Sequence, residues 1–325
     1  MSKNLSKIFP FLLFALVISI FAPQNSLAYT RDKINLGIHN DFIVEPVRTE
    51  LFLDIGESTE KQISIANRSK DTVRFILGTE DFIGTDIKEE PVRLLGQDIS
   101  AYSLKNFIIP EISEFNLGPE EMITLSVKIS VPENASPQGY YGALIVSNQG
   151  KVNNLEEKNR ASVTSRIGSL FLLKIKGKSI EQGKLDDFKI IGPKKLFYNK
   201  RPDGFEIAFK NKGNVHLTPT GEIKIRNIWM QTADTLSIKD YFVLPNSTRY
   251  KEIKWENGFR IGRYVAELSI SNGYNEEKEQ IKLTFWVIPW KILVSAFILV
   301  ILLSCLYRAF RRNKIKNRIP TKIRI

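Results

Sequence analysis

The residues of this sequence that could do chemistry are two histidines, one cysteine and pairs of adjacent carboxylates such as Glu89-Glu90, Asp186-Asp187 and Glu276-Glu277. Neighbouring residues of an extended chain point to opposite faces, so none of these pairs forms an acid–base couple through its spacing. A catalytic histidine needs a nucleophile and an orienting partner, and the chain has no Gly-x-Ser-x-Gly motif. We therefore predict no enzymatic activity and no catalytic residue, although a triad assembled by the fold stays open.

The sequence also contains no motif that supports a cofactor site or a metal site. Cys305 is the single cysteine, so the chain has no intrachain disulfide and no thiolate cage, and His39 and His216 cannot build a histidine-rich centre. The sequence contains no phosphate-binding glycine loop and no EF-hand spacing. We predict no cofactor and no metal, and interpret His216 as a polar strand residue.

The distribution of charge indicates a membrane protein. The formal net charge is +12, but residues 308–325 hold eight Lys or Arg and no acid, and residues 1–28 hold two Lys and no acid. The rest of the chain is nearly neutral, with a composition (43% hydrophobic, 25% charged) typical of globular proteins. A nucleic-acid partner is therefore not predicted.

The N-terminus, residues 1–28, is predicted to be a secretory signal peptide. Lys3 and Lys7 precede an apolar run at 8–22, and Ser26-Leu27-Ala28 offers small residues at the −3 and −1 positions of a cleavage site. An uncleaved anchor is the alternative.

A second apolar segment predicts a transmembrane helix at 286–307. Residues 287–307 carry one charge, Lys291, and as a helix they span about 32 Å, close to the thickness of the hydrocarbon core. Aromatic rings mark the two interfaces, and the basic tail at 308–325 resists translocation. The predicted protein is single-pass and type I, with residues 29–285 outside the cell and the tail in the cytoplasm. Its predicted anchors are Trp286, Trp290, Lys291, Tyr307, Arg308, Arg311 and Arg312.

Residues 29–285 show short β-rich runs separated by turn clusters rather than long helical periods, which predicts an all-β fold. A weak repeat, Gly-x-Tyr-x-Ala-x-aliphatic, begins at Gly139 and at Gly262, and in each copy an earlier strand ends at an asparagine, Asn67 or Asn211. We therefore predict two tandem immunoglobulin-like β-sandwiches, at 29–180 and 181–285. Tyr141 and Tyr264 match the tyrosine corner of that fold and are interpreted as structural.

The first copy is longer than the second and supplies the predicted binding residues. An insertion at 84–110 and a polar loop at 148–163 have no counterpart of equal length in the second copy. Loops and aromatic or arginine side chains commonly bind partners. The candidates are Arg93, Tyr102, Phe107, Asn153 and Asn154, with packing on their own domain as the alternative.

In several motifs the chain resembles the WxL-interacting proteins, membrane-anchored surface proteins with a DUF916 domain followed by a DUF3324 domain. The similar segments are Val131-Pro132 with Gly139-Tyr140-Tyr141-Gly142, Glu45-Pro46-Val47-Arg48-Thr49-Glu50-Leu51, Asn214-Val215-His216-Leu217-Thr218-Pro219-Thr220-Gly221 and Val243-Leu244-Pro245-Asn246-Ser247-Thr248-Arg249. The resemblance implies two immunoglobulin-like domains, and binding of a cell-wall polymer or a partner surface protein at the bacterial surface.

The predicted function is therefore an extracellular binding or scaffold protein held by a single membrane helix. One alternative is an assembly chaperone that exchanges a β-strand at an immunoglobulin-like edge. Another alternative is a membrane-anchored carbohydrate-active enzyme, which would require two buried carboxylates that face each other across a groove. A signalling receptor is disfavoured because the 18-residue tail has no room for a folded domain.

Overall fold

A computed structural model of the chain describes residues 29–151, 165–193, 195–239, 241–256, 261–275 and 277–316. Within these ranges it has nineteen strands, a short 3-10 helix at Lys105–Phe107 and one α-helix, α1 (Trp290–Lys316). The predicted class, all-β with one C-terminal helix, is confirmed. The signal peptide at 1–28, most of the loop at 148–163 and the end of the tail lie outside the described residues.

The strands fall into two groups, which we call the first and second β-units. The first unit contains β1 (Thr30–Lys33), β2 (Phe42–Glu45), β3 (Arg48–Leu53), β4 (Ser58–Asn67), β5 (Val73–Gly84), β6 (Val92–Leu94), β7 (Ile108–Pro110), β8 (Glu114–Leu117), β9 (Glu121–Ser130), β10 (Gly139–Lys151) and β11 (Arg166–Ile175). The second contains β12 (Gly183–Ile190), β13 (Phe197–Tyr198), β14 (Gly204–Asn211), β15 (Thr220–Arg226), β16 (Thr232–Ile238), β17 (Ser247–Lys254), β18 (Gly262–Ser271) and β19 (Lys278–Val287).

The two units share one strand order. In the first, one sheet has the central order β2-β4-β9 and the other has β3-β11-β10-β5; in the second, the corresponding orders are β12-β14-β17 and β13-β19-β18-β15. In both units, the first strand of an early segment (β2 or β12) pairs with one sheet. The next strand of that segment pairs in parallel with the other sheet (β3 with β11, β13 with β19). The order of the strands is therefore repeated, but the matched Gly-x-Tyr-x-Ala residues are not equivalent, because Tyr264 and Ala266 lie in the core of the second unit whereas Tyr141 and Ala143 lie outside the core of the first.

Apolar alternation explains the strands that have one solvent face. In β9, Ile123, Leu125, Val127 and Ile129 are buried, and the residues between them are more exposed. In each unit, side chains from both sheets meet in one buried cluster, so each pair of sheets encloses a core. Burial of these side chains is the main stabilising contribution, at roughly 25 cal/mol per Å² of apolar surface.

Strand β10 is buried on both faces, which explains why its sequence does not alternate. Tyr140, Leu144 and Val146 point into the core of the first unit. Tyr141, Ala143 and Ile145 point the other way into a third cluster, completed by Phe242 and Leu244 of the second unit. The two units are therefore joined by a buried apolar junction as well as by the chain at 176–182.

The structure corrects two predicted boundaries. Trp286 and Val287 belong to β19, and α1 begins only at Trp290, because these two residues pair with β13 and β18 of the second unit. The predicted loop at 148–163 begins too early, since β10 continues to Lys151 opposite Val73. Within the described residues, α1 is long and apolar enough to cross a membrane, and the side chains of its candidate span, Leu293–Arg311, are exposed.

Candidate partner-binding site

The junction between the units is centred on Tyr141. Its hydroxyl lies 3.4 Å from Nδ1 of His216 in the second unit, and the two rings meet edge to face with centroids 5.7 Å apart. Gly139 makes room for this side chain, because a Cβ at that position would lie 2.0 Å from the tyrosine hydroxyl. Burial raises the pKa of Tyr141 and lowers that of His216 to about 4, so both groups are neutral at pH 7.

The insertion at 84–110 binds to the second unit rather than projecting as a free loop. Asp86 Oδ1 accepts a hydrogen bond of 2.7 Å from the backbone N–H of Thr248, and the Tyr102 hydroxyl lies 3.2 Å from the amide nitrogen of Asn246. A Cβ at Gly84 would lie 2.9 Å from Cβ of Leu244, so the backbones approach too closely for a larger residue. The surplus length of the first copy therefore forms part of the junction.

A charged network completes the junction around the buried carboxylate of Glu206. Lys88 of the insertion pairs with Glu206 and lies 2.6 Å from Glu252, and Lys189 lies 2.8 Å from Glu206. Burial acts to raise the pKa of Glu206, but the hydrogen bonds from Lys189 and Lys88 outweigh it and hold the pKa below its usual value. The hydrogen bond to Glu206 is the main cause of the raised pKa of Lys88.

Two arginines approach one aromatic ring at the edge of this junction. The guanidinium of Arg48, on β3, lies 5.3 Å from the ring centre of Phe242, and that of Arg249, on β17, lies 5.5 Å from it. Arg48 lies 3.3 Å from Glu50, whereas Arg249 has no carboxylate partner among the described residues. Partial burial lowers the pKa of Arg249. This corner of the junction is therefore positively charged and suits an anionic group.

Strand β3 runs from this corner along the edge of its sheet. It pairs with β11 on one side, and no described strand pairs with its other side. Leu170 N donates to Val47 O and Lys176 N donates to Leu53 O, so the odd-numbered residues face β11. The N–H and C=O groups of Arg48, Glu50 and Phe52 consequently point outward.

Exposed apolar side chains flank this open edge. Val47 is 67% exposed and Phe52 is 58% exposed, although most large apolar side chains of the first unit are buried. The ammonium groups of Lys174 and Lys176 lie 5.8 and 5.7 Å from the centre of the Phe52 ring. We call β3, together with Arg249 and Phe242, the β3 edge.

The predicted binding residues are dispersed. Tyr102 packs at the junction, with its ring 6.0 Å from that of Tyr141, and Phe107 packs on Tyr140 with ring centres 5.4 Å apart. Arg93 is exposed and forms an ion pair with Glu90 at 2.9 Å. Asn153 and Asn154 lie outside the described residues. Partner binding by these five residues stays a prediction, and the structure brings none of the described three to the β3 edge.

Tyr140, and not Tyr141, anchors the loop before β10, because Tyr141 points away from the core; the tyrosine-corner interpretation of Tyr141 stays a prediction. The hydroxyl of Tyr140 accepts a hydrogen bond of 3.0 Å from Ser136 N and lies 3.4 Å from Ser136 O. It thereby fastens the loop that precedes its own strand. Tyr264 packs between Trp255 and Phe285 in the second core, and its role as a corner stays a prediction.

The predicted membrane anchors divide between two elements. Trp286 packs beside Phe197 in the second unit, with ring centres 6.3 Å apart, and is not part of the helix. The others lie on α1, where the tail predicted from residue 308 continues the helix to Lys316. Exposed side chains in this group are those of Trp290, Lys291, Tyr307, Arg308 and Arg311.

The groups that could do chemistry do not converge. His39 is exposed, Glu90 pairs with Arg93, and Asp186-Asp187 lie at a bulge in β12 rather than in the predicted loop. Across the described ranges, no group of three or more His, Cys, Asp or Glu side chains could hold a metal ion. The buried carboxylate of Asp81 accepts the backbone N–H groups of Leu104 and Lys105 at 2.9 and 2.8 Å and so holds the insertion in place.

Comparisons with known proteins give no family. No protein-family model and no curated protein matches the chain. The resemblance to the WxL-interacting proteins therefore stays a prediction.

Among solved structures, the chain is similar to the class 5 fimbriae chaperone CfaA, with 14% identity, a TM-score of 0.37, and coverage of 77% of this chain and 100% of that one. It is also similar to the CsuC–CsuE chaperone–tip adhesion subunit complex of Acinetobacter baumannii, with 13% identity, a TM-score of 0.35, and coverage of 76% of this chain and 99% of that one. The E. coli chaperone DraB gives 8% identity and a TM-score of 0.34, with coverage of 75% and 98%. Such TM-scores are too low to establish a shared fold, so these proteins' functions are not carried over to this chain.

Proposed function

We propose that this protein is a membrane-anchored, non-enzymatic binding protein that captures an extended segment of a partner protein along the β3 edge. The observation that carries the proposal is the outward-facing backbone of Arg48, Glu50 and Phe52 on a strand with no outer neighbour among the described residues. Such an edge pairs readily with an added strand, which gains backbone hydrogen bonds from it.

Side chains at the β3 edge would add specificity to this backbone pairing. Val47 and Phe52 offer exposed apolar contacts, and Arg48 and Arg249 offer positive charge where the edge meets the junction. A partner segment with alternating apolar residues and an anionic group at one end fits these features. Hydrogen bonds between charged groups are roughly twice as strong as neutral ones, so the arginines would fix the register of the segment.

The junction supports a scaffold role because it restrains the angle between the two units. The apolar cluster around Tyr141 and Phe242, together with the Lys88–Glu206 ion pair, would have to be exposed to water for the units to separate. Two restrained units can present one continuous surface to a partner, with less ordering entropy lost on binding. We propose that both units are immunoglobulin-like and together form this surface.

Membrane anchoring at the bacterial surface completes the proposal. The apolar helix α1, the basic residues that follow it and the secretory features of residues 1–28 support a type I orientation, with both units outside the cell. A partner protein of the same surface is then the proposed ligand. A cell-wall polymer, which the resemblance to the WxL-interacting proteins also implies, stays an alternative prediction.

The second candidate function is an assembly chaperone, favoured by the same open edge. A chaperone that lends or receives a strand holds its partner only until the partner is assembled, whereas a scaffold holds it permanently. Pulse-labelling separates the two: a chaperone's partner leaves the complex during the chase, and a scaffold's partner remains bound.

Site-specific photo-cross-linking in intact cells tests the proposal. A photoreactive amino acid replaces Phe52, and the control places it at Lys128, whose side chain is exposed on β9 of the opposite sheet. We expect a discrete protein adduct from position 52 and none from position 128. Equal labelling at both positions, or no protein adduct at position 52, would contradict binding at the β3 edge.

A further inference from the structure

The end of the second unit that leads into α1 carries an unusual set of exposed apolar side chains. Strand β19 ends at Val287, and only Ile288 and Pro289 separate it from α1. Two linking residues span at most roughly 10 Å between the flanking residues. This end of the second unit therefore lies close to the first residue of α1.

The turn between β15 and β16, residues 227–231, projects from the same end. Strand β15 runs antiparallel to β18, with Arg226 opposite Val265, and β18 begins at Gly262 opposite Val287. Because β18 alone separates β15 from β19, the turn lies about 10 Å to the side of the β19 exit. Its tip extends past Arg226 by two to three residues, or about 7–10 Å, which brings it about level with Val287.

The tip of this turn is apolar and exposed. Ile228 is 49% exposed, Trp229 75% and Met230 52%. The other exposed large hydrophobics at this end are Leu196, Phe197 and Ile261, and Trp290 follows at the start of α1. Within the described part of 183–287, Ile281 is the one other residue of this kind, so the exposed apolar side chains concentrate at the end that faces the helix.

The conformation of the turn is held by Asn227. Its Oδ1 accepts the backbone N–H groups of Trp229 and Gln231 at 3.0 Å each, and its backbone pairs with those of Gln231 and Met230. The turn therefore presents Trp229 outward without needing contacts from the rest of the unit. Lys195 is exposed at the same end and adds positive charge, whereas the ammonium of Lys200 lies 3.6 Å from the carboxylate of Asp203.

We propose that the 228–230 turn, with Leu196 and Phe197, inserts into the lipid interface around α1. The second unit then rests on the external face of the membrane that α1 crosses. The inference depends on the membrane anchor of the proposed function. A tryptophan at an apolar tip suits the interface, where its ring is buried and its N–H reaches the headgroups, and the exposed Lys195 suits anionic lipid. A second attachment beside the helix would also fix the height and tilt of both units above the bilayer.

Fluorescence quenching in vesicles tests the inference on the full-length chain. The environment-sensitive dye NBD is attached to a single cysteine, and the protein is reconstituted into vesicles of phosphatidylethanolamine and phosphatidylglycerol with a nitroxide at the headgroup or along the acyl chain. The labelled positions are Trp229→Cys and, as a matched exposed apolar control, Ile281→Cys, both in a Cys305→Ala background; the native Cys305 reports on the helix.

We expect at least two-fold stronger quenching by the headgroup nitroxide at position 229 than at 281, with a blue-shifted emission, and strong acyl-chain quenching at Cys305. Quenching at Cys305 with equal, weak quenching at 229 and 281 would overturn the lipid contact and leave the anchor intact. No quenching at Cys305 would overturn the membrane anchor and, with it, the inference that depends on the anchor.

Discussion

Asn67 and Asn211 occupy equivalent places in the two units. Each is the last residue of its strand and is buried, and each donates its side-chain amide to the carbonyl four residues later, Asp71 or Val215. The same amide also reaches the turn before the next strand of its sheet, at Leu117 O in the first unit and Val243 O in the second. One side chain thus ties three segments together in each copy of the fold.

Substitution of Asn211 by Ala should destabilise the protein by about 1–3 kcal/mol, because two buried carbonyls would lose their hydrogen-bond donor. Urea unfolding of the purified chain in detergent, followed by tryptophan fluorescence, measures the change. Asn199→Ala, at an exposed position, is the matched control and should change the unfolding free energy by less than about 0.5 kcal/mol. Equal effects of the two substitutions would contradict a tying role for Asn211.

A methyl group at Gly139 should weaken the junction. The added Cβ would overlap the hydroxyl and ring of Tyr141, and overpacking of a buried site costs about 1–3 kcal/mol. Gly78→Ala provides the control, because a Cβ at that position meets no atom within 4 Å. Thermal unfolding should show a lower midpoint for Gly139→Ala only, and an unchanged midpoint would show that Tyr141 is free to move aside.

The neutral state of His216 predicts a pH dependence of stability. Its folded-state pKa of about 4 lies below the ordinary value of 6.5, so between these values the unfolded chain binds a proton that the folded chain does not. Stability should therefore fall as the pH falls from 6.5 to 4, with a total contribution on the order of 3 kcal/mol. The contribution is fully present above pH 6.5.

The His216→Gln variant isolates this contribution from the carboxylates that titrate in the same range. Unfolding free energies of the two proteins are compared at pH 7, 6, 5 and 4, and the difference between them should shrink as the pH falls. Parallel curves would show that His216 is protonated as easily in the folded protein as in the unfolded chain.

The junction predicts a restrained angle between the two units. Spin labels at Lys128 of the first unit and Lys282 of the second, both exposed, should give a narrow distribution of distances. Phe242→Ala removes the ring that the second unit contributes to the buried cluster and should broaden that distribution. A distribution that is already broad in the unsubstituted protein would contradict the scaffold role.

The β class and the apolar helix could be predicted from the sequence because local patterns determine them. The alternation of apolar and polar residues in β9, for example, depends on that strand and its core alone. The start of α1 was placed four residues too early, since apolar composition alone does not separate the end of a buried strand from the beginning of a membrane helix.

The site was not predictable in the same way. Tyr141 was interpreted as a core residue because it matches Tyr264 in the Gly-x-Tyr-x-Ala pattern, but only the register of β10 decides whether Tyr140 or Tyr141 points inward. The insertion at 84–110 was interpreted as a source of partner-binding residues or as packing on its own domain, since nothing local reveals that Asp86 and Lys88 contact residues of the second unit. The open side of β3 depends on which strands pair at long range, and it carries no sequence signal.

Backbone pairing at the β3 edge is the central claim, and a proline at Glu50 tests it most directly. The N–H of Glu50 points away from β11, so Glu50→Pro should leave the sheet intact and remove a donor that an added strand requires. Glu50→Ala is the matched control, because it loses the same side chain and the same contact with Arg48 but keeps the N–H. The measurement is the yield of the protein adduct from a photoreactive group at position 52, with thermal unfolding confirming that both variants fold. The account predicts a full yield for Glu50→Ala and at least a ten-fold loss for Glu50→Pro, whereas equal yields from the two folded variants would contradict it.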